Sequence, residues 1–234
     1  HPPASGGMLQ KTGDGRLLLS GVADNTYTGA TLLRGGSLAL QRDGQLGAVP
    51  GVATPGHLLI DGATLQIDGD TVLAAQRGLA LGPSGATLQV ADGRVVGLAG
   101  ALADAPGAGG GTLAKTGAGL LRLQAAAPST HTGATQVLAG TLALSADSQL
   151  GAVPGVATPG HLLLDGGTLQ ADAGFTLAAA RGLQLGAGGG TVAVPGGQQL
   201  AFAGVLSGLS ADPAQGALTK AGDGQLALSG ANTF

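Results

Sequence analysis

The sequence predicts an all-β fold, a right-handed parallel β-helix (a solenoid), and three observations point to it. The stretch QLGAVPGVATPGHLLIDG at 45–62 returns at 149–166 with one change, Leu164 for Ile60. Around it, short apolar segments alternating with period two recur every twenty-odd residues, which is the strand signal. The 47 glycines have no three-residue period, so collagen is excluded, and they fall between those segments as turn punctuation.

Repetition has two levels. Lys11-Thr12-Gly13-Asp14-Gly15 returns as Lys115-Thr116-Gly117-Ala118-Gly119 and again as Lys220-Ala221-Gly222-Asp223-Gly224, at spacings of 104 and 105 residues. The chain thus reads as one continuous β-helix fragment over 1–234, with repeats at 11–114 and 115–219 and the start of a third at 220–234. It has the look of a piece of a longer array. Within one repeat, Leu-x-Leu alternation starts near Leu17, Leu38, Leu58, Leu79, Leu98 and Leu121. These anchors predict about 21 residues per coil and roughly 11 coils, a rod on the order of 50 Å long at the usual strand spacing. Equal residue types at equal phase are what stacking of coils rewards. That argument favours a solenoid over an antiparallel sandwich or barrel. Leu17, Leu19, Leu38, Leu40, Leu58, Ile60, Leu79 and Leu81 are the expected inward positions. Further strands are expected at ATLQI (63–67), ATLQV (86–90) and GTLQA (167–171). No helix is expected, because LQAAAPS ends in Pro128 and TLAAARG ends in Gly182.

Composition closes several functional classes. A formal net charge of −3 without a basic stripe gives no pull towards nucleic acid. With no cysteine there is neither a disulfide framework nor a thiolate metal site. The opening HPPASGGM lacks the basic and apolar regions of a signal peptide. The longest apolar run, 95–103, is too short to span a bilayer. Four rings, Tyr27, Phe175, Phe202 and Phe234, cannot supply the aromatic girdles of an outer-membrane barrel.

No residue is assigned a catalytic, cofactor-binding or metal-binding role, and no cofactor is expected. His57 and His161 recur at equal phase but five predicted coils apart, so they cannot share an ion and read as strand-entry residues beside VPG and TPG turns. Asp68 and Asp70 in IDGDTV are not repeated in tandem as a calcium-binding nonapeptide would be. The remaining acids are all Asp, spread along the rod in Gly-containing turns, which argues against paired carboxylates for glycoside hydrolysis. Asn25 and Asn232 suit turns in which the side-chain amide bonds to the backbone. The segments at 102–111 and 206–216 have loop composition at matching phase and read as excursions able to form contact loops.

LTKAGDGQLALSGANTF (218–234), LAKTGAGLLRLQ (113–124), NTYTGATLLRGGSLAL (25–40) and GGTLQADAGFTLAAARGLQLGAGGGTVAV (166–194) resemble the passenger-associated (autotransporter-associated β-strand) repeat of Gram-negative autotransporter passenger domains. The second copy departs from that pattern where Ser129 stands for Asn25 and His131 for Tyr27. The resemblance implies a non-catalytic, structural or adhesive segment displayed on the bacterial surface after export through the outer membrane. It would extend the passenger as a stalk, adhere to host surface, matrix or glycan receptors, or self-associate. The resemblance also implies a C-terminal outer-membrane β-barrel that these residues do not contain. The alternative is a β-helical carbohydrate-binding or polysaccharide-degrading protein.

Overall fold

The computed structural model describes residues 6–208 and 216–233. These residues form a parallel β-solenoid of about nine turns with three faces. The first face carries Leu9–Lys11, Thr31–Leu33, Leu58–Ile60, Leu79–Leu81 and Leu102–Asp104. The second is continuous from end to end: Arg16–Leu18, Ser37–Leu40, Ala63–Ile67, Ala86–Val90, Leu113–Thr116, Thr135–Val137, Leu162–Leu164, Leu183–Leu185 and Leu206–Gly208. The third runs from Thr71–Leu73 through Val95–Leu98, Leu120–Leu123, Thr141–Leu144, Thr168–Ala171 and Gly190–Ala193 to Leu218–Ala221. A last sheet, Phe175–Leu177, Gln199–Phe202 and Gln225–Leu228, takes over the first face. The handover is made by irregular backbone. Thr130 N donates to Leu102 O, Ser129 N to Ser148 O and Ala152 N to His131 O, and Phe175–Leu177 packs on the 3₁₀ turn Asp147–Leu150. Four 3₁₀ turns, Asp43–Leu46, Ala75–Arg77, Asp147–Leu150 and Ala179–Arg181, are the only helical elements among the described residues.

Turn length corrects the sequence reading. Along the second face, eight steps carry the chain from Arg16 to Leu206, about 24 residues per turn, so nine turns replace the expected 11 of 21 residues. The reason is geometric. Leu38 lies on the second face and Leu58 on the first face of the next turn, while Leu79 lies on the first face and Leu98 on the third. Each of those steps is two-thirds of a turn, although it looked like a full one. One 104-residue unit is therefore four and one-third turns. Thr31–Leu33 and Leu58–Ile60 on the first face correspond to Thr135–Val137 and Leu162–Leu164 on the second. Duplicated segments consequently face different directions around the rod.

Period-two burial sets the core. Leu38, Leu65 and Leu88 stack in register, as do Leu33, Ile60 and Leu81, and all six are fully buried. Each such side chain contributes roughly 1.5–3 kcal/mol by leaving water. Of the expected inward positions, Leu17 and Leu19 are only half-buried, since in this first turn they are covered from one side.

The lysine of each Lys-x-Gly motif occupies a rung of this apolar ladder. Lys11 pairs with Leu33, Lys115 with Leu88 and Val137, and Lys220 with Val192. Lys115 is fully buried, and burial pushes its ammonium down to about 8. Nζ donates to the carbonyls of Thr116, Gly117 and Ala139 at 2.8, 2.8 and 3.1 Å. Lys11 makes the equivalent set with Thr12, Gly13 and Gly35. The aliphatic stem fills the core while the ammonium binds together the corners of two successive turns.

Candidate adhesive surface

The two near-identical stretches form loops, residues 47–57 and 151–161, that leave the rod between a 3₁₀ turn and the next strand. At their bases lie buried Gln45 and Leu46, His57 and Leu58, with Gln149, Leu150, His161 and Leu162 in the second copy. Gly47 needs its positive φ of 80°, and a Cβ there would meet the Tyr27 carbonyl and lie 2.8 Å from its ring. Further out, Thr54 N donates to Gln76 O and Thr158 N to Ala180 O, both at 2.9 Å. The tips expose Val52 (74%) and Val156 (75%), flanked by half-exposed Val49 and Val153. Packing explains the repetition at the bases but not at these tips.

A buried ion pair latches each loop. Arg77 is 2% exposed and its Nε donates to Asp43 Oδ1 at 2.7 Å, while Nη1 and Nη2 donate to Leu46 O and Gly47 O at 2.9 and 2.6 Å. Arg181 repeats this with Asp147 Oδ1 at 2.8 Å, Leu150 O at 3.0 Å and Gly151 O at 2.7 Å. Asp43 and Asp147 also accept from the Ala74 and Ala178 amides of the following turn. Gln45 closes the first corner from below, its Oε1 accepting from Gln41 N and its Nε2 donating to Gly21 O. The sequence reading gave these pairs no role. A usable signal was present: a 34-residue Asp-to-Arg spacing, kept in both copies of a chain with only 10% charged residues.

His57 and His161 do sit at strand entry, four and one-third turns apart rather than five and on adjacent faces. His57 Nε2 donates to Thr28 O at 3.4 Å, and burial holds its basicity down. The structure brings His161 beside a residue the sequence reading treated only as a departure from the repeat. His131 takes the place of Tyr27, is fully buried, and finds no hydrogen-bond partner for either ring nitrogen. In the first copy Tyr27 Oη bonds Thr31 Oγ1 at 2.8 Å; in the second, Thr135 Oγ1 and His161 Nε2 are also without partners.

The other candidates resolve as structure. Asp68 accepts from Gln66 and pairs with Arg16 two turns away, whereas Asp70 caps Val95 N, so the two carboxylates serve different turns. Among the described residues no group of three or more His, Cys, Asp or Glu could hold a metal ion. Asn25 Nδ2 donates to Gln45 O, and Asn232 Oδ1 accepts from Leu206 N at 3.1 Å. Ser129 performs the same service in the second copy, its Oγ accepting from Leu102 N at 3.1 Å. The expected excursions begin later than their composition suggested. Leu102–Asp104 and Leu206–Gly208 are ladder strands, so the first loop spans 105–112, and residues 209–215 of the second lie outside the described residues.

Outward ladders add two shallow polar grooves at matching phase. Thr64, Thr87 and Gln136 flank one of about 460 Å³, and Thr191 and Thr219 flank a smaller one of about 190 Å³.

Comparison with known proteins agrees with this geometry. The passenger-associated-transport-repeat family matches residues 9–40, 113–144 and 218–234. The chain is 34% identical over 236 residues to the adhesin BmaC autotransporter of Brucella suis biovar 1 (strain 1330). That likeness covers 96% of the chain and spans about 6% of the relative's length. No solved structure matches the chain significantly. No helix among the described residues is long and apolar enough to cross a membrane. The first and second matched repeats each carry the buried lysine at a corner of the solenoid, so the chain carries passenger-associated-transport repeats and is similar over nearly its whole length to one stretch of an autotransporter adhesin.

Proposed function

We propose that this segment is a non-catalytic, surface-displayed part of an exported passenger, one continuous stretch of solenoid that both spaces and adheres. The observation that carries the reading is the pair of latched loops with identical exposed valine tips, set one face apart around the rod. At the strand spacing, four and one-third turns separate them by about 21 Å along the axis. Two weak apolar contacts held at fixed distance gain effective concentration without either being a tight pocket. The related Brucella protein is named an adhesin, which supports a host surface, matrix component or second passenger as partner, and the net charge of −3 gives no pull towards nucleic acid. Commitment of the acids to backbone amides and arginines supports the absence of catalysis. Outer-membrane anchoring through a C-terminal barrel completes the proposal.

The test is adhesion of inert beads coated with the chain to host cells, matrix proteins and each other, against a Val52→Asp/Val156→Asp double variant. Both sites are exposed, so the fold is retained, and a loss of binding of at least tenfold is expected. Undiminished binding by the variant removes the loops from the adhesive surface, and no binding by either chain makes the segment a stalk.

A second reading, binding of a neutral glycan, is favoured by the two Thr-lined grooves at equal phase. Thr64→Ala/Thr87→Ala would then weaken bead binding to polysaccharide while leaving the valine-dependent contacts intact.

A further inference from the structure

The two loop corners share a latch but not a centre. Four polar atoms of the second corner have no hydrogen-bond partner: Nδ1 and Nε2 of His131, Nε2 of His161 and Oγ1 of Thr135. All belong to two successive turns, joined by the bond from Thr135 N to His161 O. Buried polar groups are almost always paired, so such a concentration marks a place of low local stability. The groups facing His131 are Asp104 from the preceding turn, His161 from the next, and Arg181, whose latch partner is Asp147. Asp104 already accepts from Thr132 N and Thr132 Oγ1. A second positive charge at His131 would therefore be buried beside the Arg181 guanidinium and His161, opposed by them and favoured by Asp104, which already accepts from Thr132.

We propose that this corner is an acid-sensitive joint, at which proton uptake by His131 opens the backbone over residues 129–137 and 147–162 while the first corner stays closed. In a solenoid each turn touches only its neighbours, so such an opening remains local. Its consequence is a rod that is stiff at neutral pH and hinged, or open to proteases, at one place in acid.

Burial holds the His131 imidazole down at about 4, against 6.5 when free. The folded corner thus binds fewer protons than the open one, and its stability is complete above pH 6.5 and declines as pH falls towards 4. At pH 4 the opening equilibrium should be about 100-fold more favourable than at pH 7. Hydrogen exchange of the intact chain, read by mass spectrometry and corrected for the intrinsic pH dependence of exchange, tests this. Peptides over 129–137 and 147–162 should lose about 100-fold in protection, whereas 25–33 and 43–58 should change far less. The first corner has the same Asp–Arg latch, so protonation of the latch carboxylates, Asp43 and Asp147, is common to both and cancels. His131→Tyr, the side chain of the first copy, should abolish the difference. Equal loss at both corners, or a difference that survives His131→Tyr, overturns the proposal. Titration of the wild-type imidazoles by NMR is independent of any variant's folding, and an ordinary midpoint near 6.5 for His131 overturns it too.

Discussion

The corner around Tyr27 and the corner around His131 have the same latch and nearly the same loop, yet the first leaves one buried polar side-chain atom unpaired, His57 Nδ1, and the second leaves four. Tyr27 Oη and Thr31 Oγ1 bond to each other at 2.8 Å, and burial raises the tyrosine above its usual range. The second corner keeps the threonine, as Thr135, and loses the phenol. A repeated solenoid tolerates this because its stability is a sum of local turn and interface contributions, and neighbouring turns can support a weak one. Sequence identity in the loop therefore says nothing about equality of the ground beneath it. Differences in what lies one turn below decide how each loop behaves.

If the latch is common ground, breaking it should be the largest effect and equal in both copies. Arg77→Ala and Arg181→Ala each remove a buried guanidinium, take the counter-charge from an aspartate and take a donor from three carbonyls in the first copy and four in the second. A loss of about 3–5 kcal/mol is expected for a broken buried pair. Hydrogen exchange over the loop and the following 3₁₀ turn measures it, and losses differing by more than about 1 kcal/mol would show that the two latches are not equivalent.

Exchanging the central residues should move the defect. Tyr27→His is expected to cost about 1–3 kcal/mol, the penalty for leaving Thr31 Oγ1 and the new imidazole unsatisfied, and to confer on the first corner the acid sensitivity of the second. His131→Tyr should recover about 1 kcal/mol through a bond to Thr135. Urea unfolding at pH 7 and at pH 5 gives both values. A stabilised Tyr27→His chain would mean that the second corner is the better-packed one.

How much of this was legible in the sequence depends on the range of the cause. Strand positions and the inward leucines follow from local alternation, and the solenoid follows from repetition of that alternation. Turn length did not, because Leu38 to Leu58 and Leu79 to Leu98 cross from one face to another, and a leucine on one face spells the same as a leucine on the next. The turn roles of Asn25 and Asn232 were readable from residue type. Lys115 was not: a lysine flanked by Thr116 and Gly117 reads as an exposed turn residue, and only the register that aligns it with Leu88 and Val137 shows that it stands in the core. His131 was visible as a departure from the repeat, but its meaning needed the turn above it, where His161 arrives from 30 residues away.

The finest division between the corners is a single hydroxyl. Thr31→Val removes a group that Tyr27 uses and strands the phenolic oxygen at a half-buried site, so a loss of about 1 kcal/mol is expected. Thr135→Val removes a group that bonds to nothing. It exchanges a buried unsatisfied oxygen for a methyl of the same shape, and should be neutral or stabilising by up to about 1 kcal/mol. Val also keeps the β-branch that suits a strand, so propensity does not confuse the result. Urea midpoints of the two variants should move in opposite directions, or only the first should move. Equal losses would mean that Thr135 Oγ1 is bonded in solution, and with that bond the contrast between the two corners would shrink to the imidazole alone.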